Sequence, residues 1–451
     1  MSVKTTERTY YVIRPLKNNI MTKTPVTTRE RIAWILYDFA NSGYATVVLT
    51  TIYSTYFVSS IAMSNGYNTG SATLFWTLTI ALSNGLVLFS APLIGALADG
   101  YAIRKKLLLV STAGCILFTA LLAIPNPGDI IAASLLIVLS YFMFATGENL
   151  IAAFLPELTN QNNIGRLSGY GWSIGFLGGL SALLLCLIYV SWAKTDGQVA
   201  TDYVPITMII VAIFFSIASI PTMLWLKERG NRTTHSTTPI RNSFACVFHT
   251  IKTLHHYPDL RNFMFALISF HAGIYIVIVL AAVYATQVMG FDTQQNIILI
   301  SVVNITAAIG AFGFGHLQDK LGSIKTLLFT LLLWCIAIVT AWASHDITTF
   351  WLAANLIGVS LGASQSASRA LIGLFSPPGR YGEFFGLWGM CVKLAAIIGP
   401  LSYGVINWLT DGNHRDSILT TLVFFIIGII ILLTIDEKRG RKHALRHYEL
   451  R

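Results

Sequence analysis

Blocks of about 20 consecutive apolar residues recur along this chain, and that recurrence constrains its fold more than any other feature. A block of that length crosses the hydrocarbon core of a bilayer as a helix, which satisfies its own backbone hydrogen bonds where no water is available. Of the 451 residues, 54% are apolar and only 11% charged, and the mean hydropathy is +0.65. Soluble domains carry about 25% charged residues, so a cytosolic enzyme, a secreted protein and a disordered chain are excluded. Read against the intervening polar and Pro/Gly stretches, the blocks predict spans near 31–62, 73–97, 107–124, 130–153, 168–192 and 203–226. They resume near 261–288, 296–317, 326–344, 348–371, 384–408 and 417–435. Trp76, Trp192, Trp225, Trp342, Trp351 and Trp408 fall close to span ends, where indole prefers the membrane interface.

Charge tests this segmentation. With the spans so placed, 27 of the 30 Lys and Arg belong to the N-terminus, the connections after even-numbered spans with the span ends beside them, and the C-terminus. The other side holds Lys194 and Arg415, and Lys393 lies within a span. One miscounted span would scramble this split, so an even number of spans and cytoplasmic termini are expected. The net charge of +10 is thereby explained by membrane orientation, and no nucleic-acid partner is expected. Four cysteines (Cys115, Cys186, Cys335, Cys391) lie inside apolar blocks and Cys246 in a basic connection; no pair has ligand spacing, so neither a disulfide framework nor a metal site nor a cofactor is expected. The polar first 20 residues do not read as a cleavable signal peptide, and Met21 is an alternative start.

The expected organisation is a cytoplasmic tail (1–30), a six-helix bundle (31–226), a cytoplasmic linker (227–260), a second six-helix bundle (261–435) and a basic cytoplasmic tail (436–451). In the linker, Phe244, Val247, Phe248, Ile251 and Leu254 recur at helical spacing opposite Arg241, His249, Lys252 and His255, a pattern of an interfacial amphipathic helix or a plain basic linker. His255-His256 has no partners at ligand spacing and reads as solvated surface. One internal repeat then decides the architecture. After span 2 the chain places Gly95, Asp99 and Arg104, and after span 8 it places Gly315, Asp319 and Lys325, with the glycines and aspartates offset by 220 residues. The glycine permits close helix approach, and the aspartate at a helix end requires a cation or a neighbouring helix N-terminus. The fold class is therefore an all-α membrane protein of 12 transmembrane helices in two pseudo-symmetric six-helix bundles.

With that repeat the chain resembles the major facilitator superfamily, and within it the vacuole-effluxer-like (unknown major facilitator) family. The matching segments are Trp34-Ile-Leu-Tyr-Asp38-Phe-Ala-Asn41-Ser and Ser168-Gly-Tyr-Gly-Trp-Ser-Ile-Gly175, followed by Gly362-Ala-Ser-Gln365-Ser-Ala-Ser-Arg369, Glu383-Phe-Phe-Gly386-Leu387, Lys393 and Gly399-Pro400. The chain departs from the family pattern at Phe270-His271-Ala272-Gly273 and at Ala152, where an asparagine is common. The resemblance implies that spans 1, 4, 7 and 10 line a central cavity, with amino-acid export the role proposed for relatives.

Ionisable groups within spans cost roughly 2.5–3.5 kcal/mol to insert and usually face a cavity or a partner. Asp38, Glu148, His271 and Arg369 fall one on each of the four cavity helices the resemblance implies, and Lys393 on span 11. Asp38 lies on one helix face with Asn41 and Tyr37, where it binds an ammonium group, takes up a proton or caps helix packing. Glu148, beside Asn149, is either a proton carrier or the partner of a permanent salt bridge to Arg369 or Lys393. His271 is a proton relay or a hydrogen-bonded core imidazole. Arg369, one turn from Gln365, holds a substrate carboxylate or locks the cytoplasmic gate through a carboxylate. Lys393 is a latch or a snorkelling side chain. Gly171, Gly175, Gly178 and Gly179 of span 5, and Pro92, Pro221 and Pro400, read as packing and bending features.

The function these features predict is secondary transport by alternating access: one small polar solute, an amino acid or related metabolite, moved with a proton through Glu148 or Asp38. No GxxxxGK[ST] loop is present to bind ATP. The expected partners are the solute, a proton or another coupling ion and the lipid bilayer, with the chain a monomer in a bacterial cytoplasmic membrane. The rival readings are a membrane-embedded lipid or glycan transferase, which would need a clustered acidic or histidine motif, and a transport-silent sensor.

Overall fold

Helix starts are set by local chemistry. Thr27 and Glu30 form a reciprocal capping box, with Glu30 N donating to Thr27 Oγ1 at 3.3 Å and Thr27 N donating to Glu30 Oε2 at 3.0 Å. The computed structural model describes residues 25–67, 69–229, 252, 254, 257–291, 293–411 and 413–449. The amphipathic segment expected around 244–254, Cys246, His255-His256 and the first 24 residues, with Met21, lie outside the described residues, apart from Lys252 and Leu254. Within them the first half comprises α1 (Thr28–Ala62), α2 (Thr69–Tyr101), α3 (Arg104–Leu121), α4 (Ile130–Ala152), α5 (Ile164–Thr195) and α6 (Ala200–Trp225). The second comprises α7 (Pro258–Met289), α8 (Thr293–Leu321), α9 (Ser323–Ala343), α10 (Ile347–Phe375), α11 (Tyr381–Leu409) and α12 (Thr420–Leu432), followed by α13 (Glu437–Glu449). Span boundaries differ from the sequence reading by a few residues at most ends.

Eleven of these helices are long and apolar enough to cross a membrane, α12 together with the turn before it (His414–Leu432). The twelfth bundle member, α3, has 18 residues, opens on Arg104-Lys105-Lys106, and packs against α4 and α6. Large apolar side chains point outward, among them Ile131 at 85% and Trp408 at 77% exposure, as lipid-facing surface requires and a soluble fold would not tolerate. α1 is not uniformly α-helical: Ala45–Thr51 and Phe57–Ala62 widen to π-helix. Thr50 and Thr51 both return their hydroxyls to the Thr46 carbonyl, at 2.8 and 2.6 Å, competing with the backbone ladder there.

The two halves meet mainly along α2–α11 and α5–α8, pairs related by the internal repeat. The helix-end chemistry repeats as well. Glu228, after α6, accepts from Lys105 N at 2.8 Å, and Glu437, after α12, accepts from Ile324 N at 3.1 Å. Arg229 pairs with Glu30 at the start of α1, and Arg439 pairs with Asp259 at the start of α7, each at 2.7 Å. The basic C-terminal segment is thus no loose tail; α13 is pinned across the starts of α7 and α9. We call this end of the bundle the basic end.

Candidate functional site

At the basic end, the repeated aspartates each cap a helix of the opposite half. Asp319, closing α8, accepts from Gly165 N at 2.9 Å and Arg166 N at 3.0 Å in the first turn of α5. Asp99, closing α2, accepts from Glu383 N at 2.9 Å in the first turn of α11. A carboxylate at a helix N-terminus meets unpaired N–H groups and the positive end of the helix dipole. The surrounding cations differ. Arg104 holds Asp99 at 2.7 Å and Glu157 at 2.9 Å, both within its own half. Lys325, the basic residue of the second repeat, is exposed, and the ion-pair partner of Asp319 is Arg166 at 3.8 Å. α9 begins at Ser323, so Lys325 lies on a helix already capped by Glu437. Gly95 approaches α11 so closely that a Cβ there would overlap the Gly382 carbonyl.

These caps make different predictions. Asp319→Asn loses one charge from a helix terminus, a change of roughly 0.5–2 kcal/mol. Asp99→Asn also strands part of the buried Arg104 charge, so it is expected to slow solute exchange more, by about tenfold. Solute affinity should change less than about twofold in both. Exchange at saturating solute, compared with equilibrium binding, checks this; lost affinity with normal turnover contradicts it.

Arg369 of α10 is the central tie. Its Nη1 donates to Asp38 Oδ2 on α1 at 2.7 Å. Its Nε and Nη2 donate to Ser168 Oγ and Ser168 O at 3.2 and 3.0 Å. The guanidinium lies 4.7 Å from the Trp34 ring centroid and 5.2 Å from that of Trp172. Gly171 leaves room for this assembly, because any side chain there would strike Asp38, Arg369 and Trp34. Ser168 Oγ also donates to Ser366 O at 2.8 Å.

Toward the middle of the bundle, Lys393 of α11 is 5% exposed rather than snorkelling, and its Nζ donates to Tyr141 Oη of α4 at 3.0 Å. Tyr141 in turn donates to Asn84 Oδ1 of α2 at 2.6 Å. Glu148, two turns along α4 from Tyr141, is half-buried within electrostatic range of Lys393, Asp38 and Arg369. It forms no ion pair within 4.0 Å and no hydrogen bond among the described residues, so a permanent salt bridge to Arg369 or Lys393 is not what the structure contains. Asn149, beside it, packs against Gly389 of α11 with Nδ2 buried and unpartnered.

The remaining candidates lie apart. His271 is fully buried inside the second half, its Nε2 at 3.2 Å from Gln365 Oε1. Tyr37 is fully buried within the first half, 2.9 Å from Thr112 Oγ1 and against Gly147, while Asn41 is buried with Oδ1 unpartnered. Asp38, Glu148, Arg369 and Lys393 therefore come together between the halves, and His271, Gln365 and Tyr37 sit inside one half each. Sequence reasoning missed Tyr141, Asn84, Ser168, Trp34 and Trp172 as partners. Tyr141 had a usable signal: it precedes Glu148 by seven residues, the same face of a helix.

The inter-half hydrogen bonds and ion pairs lie in the middle and at the basic end; among the described residues none joins the halves at the opposite end. The two six-helix bundles are latched to each other from the middle to the basic end. Residues 160–445 match the family described as vacuole effluxer Atg22 like. The chain belongs to that family. An uncharacterized MFS-type transporter, YxiO of Bacillus subtilis, is 26% identical over 416 residues, covering 91% of this chain and 96% of that protein. Autophagy-related protein 22 of Cryptococcus neoformans is 26% identical over 304 residues, covering 63% of this chain and 55% of that protein. The chain thus spans about half the length of the fungal relative. Among solved structures, the human organic anion transporter MFSD10 superposes with a TM-score of 0.70 at 13% identity, covering 91% of this chain and 99% of that one. The proton:xylose symporter XylE gives a TM-score of 0.67 at 14% identity, covering 90% and 94%. At such identities the likeness speaks to fold alone: the Atg22-like chain has the major facilitator fold. It is a multi-pass membrane transporter, not an enzyme.

Proposed function

We propose that this protein is a secondary transporter that carries a small polar solute, an amino acid or related metabolite, by alternating access, with a proton moving through Glu148. The observation that carries the reading is Glu148 itself: a carboxylate deep between the halves with no hydrogen bond or ion pair among the described residues. Intramembrane carboxylates without a permanent partner are functional by default, because only function offsets their cost. The Asp38–Arg369 pair acts as the gate beneath the binding cleft, and Asp99 and Asp319 hold the basic end shut. The 27-of-30 bias of Lys and Arg supports a cytoplasmic basic end, so the latched state is closed toward the cytoplasm. The relative aligned over most of both chains is bacterial, which supports residence in a bacterial cytoplasmic membrane.

The test is uptake of radiolabelled amino acids, one at a time, into proteoliposomes holding the full chain, with and without an imposed pH gradient. A gradient-driven accumulation of at least one solute is expected, abolished by a protonophore. In Glu148→Gln, counterflow should persist while accumulation becomes indifferent to the gradient. Identical accumulation with and without the gradient would remove proton coupling, and absence of counterflow for every solute would remove the amino-acid reading.

A further inference from the structure

Two cations face the centre between the halves, and their states differ. Arg369 is committed: its charge is paired with Asp38 at 2.7 Å, three of its five N–H donors go to Asp38 and twice to Ser168, and two indole rings flank its plane. Lys393 is not. Its ammonium has three donors, and one is used, on the Tyr141 hydroxyl. The Tyr141 ring centroid lies 5.1 Å away. No carboxylate approaches within 4.0 Å among the described residues, although the side chain is 5% exposed. The charged and titratable groups around it are Tyr141 and Glu148 on α4 and Tyr275 on α7. Those around Glu148 are Lys393 on α11, Asp38 on α1 and Arg369 on α10, with Tyr37 and Tyr275 nearby. A buried cation hydrogen-bonded to a single phenol, with free donors, is an incomplete anion site.

We propose that Lys393 is the anchor for a carboxylate of the transported solute, and that Arg369 is excluded from that role by its partners. The proposal rests on the transporter reading and deepens it by assigning the solute's chemical class: small organic acids, including zwitterionic amino acids. One turn away on α11, Gly389 brings the buried, unpartnered Asn149 Nδ2 against the same helix, offering a second donor on the α4 side. Charge balance then distinguishes the two kinds of acid. A zwitterion brings its own ammonium for Glu148. A simple carboxylate adds an uncompensated negative charge beside Glu148, so its entry is accompanied by a proton on that residue.

The experiment uses purified full-length protein and thermal stabilisation by three matched probes: alanine, propionate and ethylamine. Wider sets of carboxylic acids, amino acids and the corresponding amides and amines follow. Stabilisation is expected only from probes carrying a carboxylate, and simple carboxylates should bind more tightly as pH falls while zwitterions do not. Lys393→Met should weaken carboxylate binding by about 10- to 100-fold, the range for a hydrogen bond to a charged group. Lys393→Arg should recover part of it. A single cooperative unfolding transition of Lys393→Met without any probe serves as the control that the central region still folds. If no carboxylate stabilises the protein, if amines or amides do so instead, or if Lys393→Met binds carboxylates as wild type does, the anchor is overturned. Gradient-driven flux of a solute lacking a carboxylate, unaffected by Lys393→Met, would overturn the anchor and leave the transporter reading standing.

Discussion

Arg369→Met is expected to reduce solute exchange by at least about 100-fold and to lower thermal stability, because it leaves Asp38 as an unmatched charge between the halves. Removing one member of a buried ion pair costs about 3–5 kcal/mol, and the gate closed at the basic end bears that loss directly. The magnitude is set by the surroundings as well as by Asp38: Ser168 loses its two donors, and Trp34 and Trp172 lose the cation between them. Asp38→Asn combined with Arg369→Met removes both charges and should recover much of the stability, though not the gate. The double-mutant cycle, read by unfolding midpoint and by counterflow, isolates the coupling between them. Wild-type exchange in Arg369→Met, or a double variant as unstable as the sum of the singles, would show that the pair is not the gate.

Gly95→Leu should abolish transport by a different route. The α2–α11 contact places the Gly382 carbonyl where a Cβ of residue 95 would lie, and backbone on both sides cannot retreat without parting the helices. The protein should therefore fold but fail to close its basic end. In a cysteine-depleted background, Asn149→Cys should be shielded from a membrane-impermeant maleimide in the parent and labelled from the basic side when combined with Gly95→Leu. Gly85→Leu provides the comparison: it lies on the same helix, has open space around its Cβ position, and should leave both transport and labelling unchanged. Equal labelling in all three proteins would contradict a closure device at Gly95.

Much of the fold was legible because the bilayer imposes a crude rule. Apolar blocks must be helices, and Lys and Arg must favour one side, so the span pattern and the even count follow without knowledge of packing. The repeated Gly95–Asp99 and Gly315–Asp319 pattern likewise announced two related halves. Lys325 marks the limit of that pattern. Its spacing matched the motif, yet the ion-pair partner of Asp319 comes from α5 of the other half, which no local spacing encodes. His271 and Tyr37 were expected to face a cavity or a binding group, but which way a helix turns its face depends on its neighbours. His271 turned to Gln365 and Tyr37 to Thr112, each within its own half.

From the chain alone came the quantities that act within a segment or against the membrane: helix length, hydropathy, the sidedness of charge and the repeat of motifs. The tertiary structure alone decided which charges meet: Arg369 with Asp38, Lys393 with Tyr141, and Glu148 with no close partner among the described residues. Those pairings join residues far apart in sequence, and their energies depend on angstrom-scale distance and on the water excluded between them, neither of which a linear order specifies.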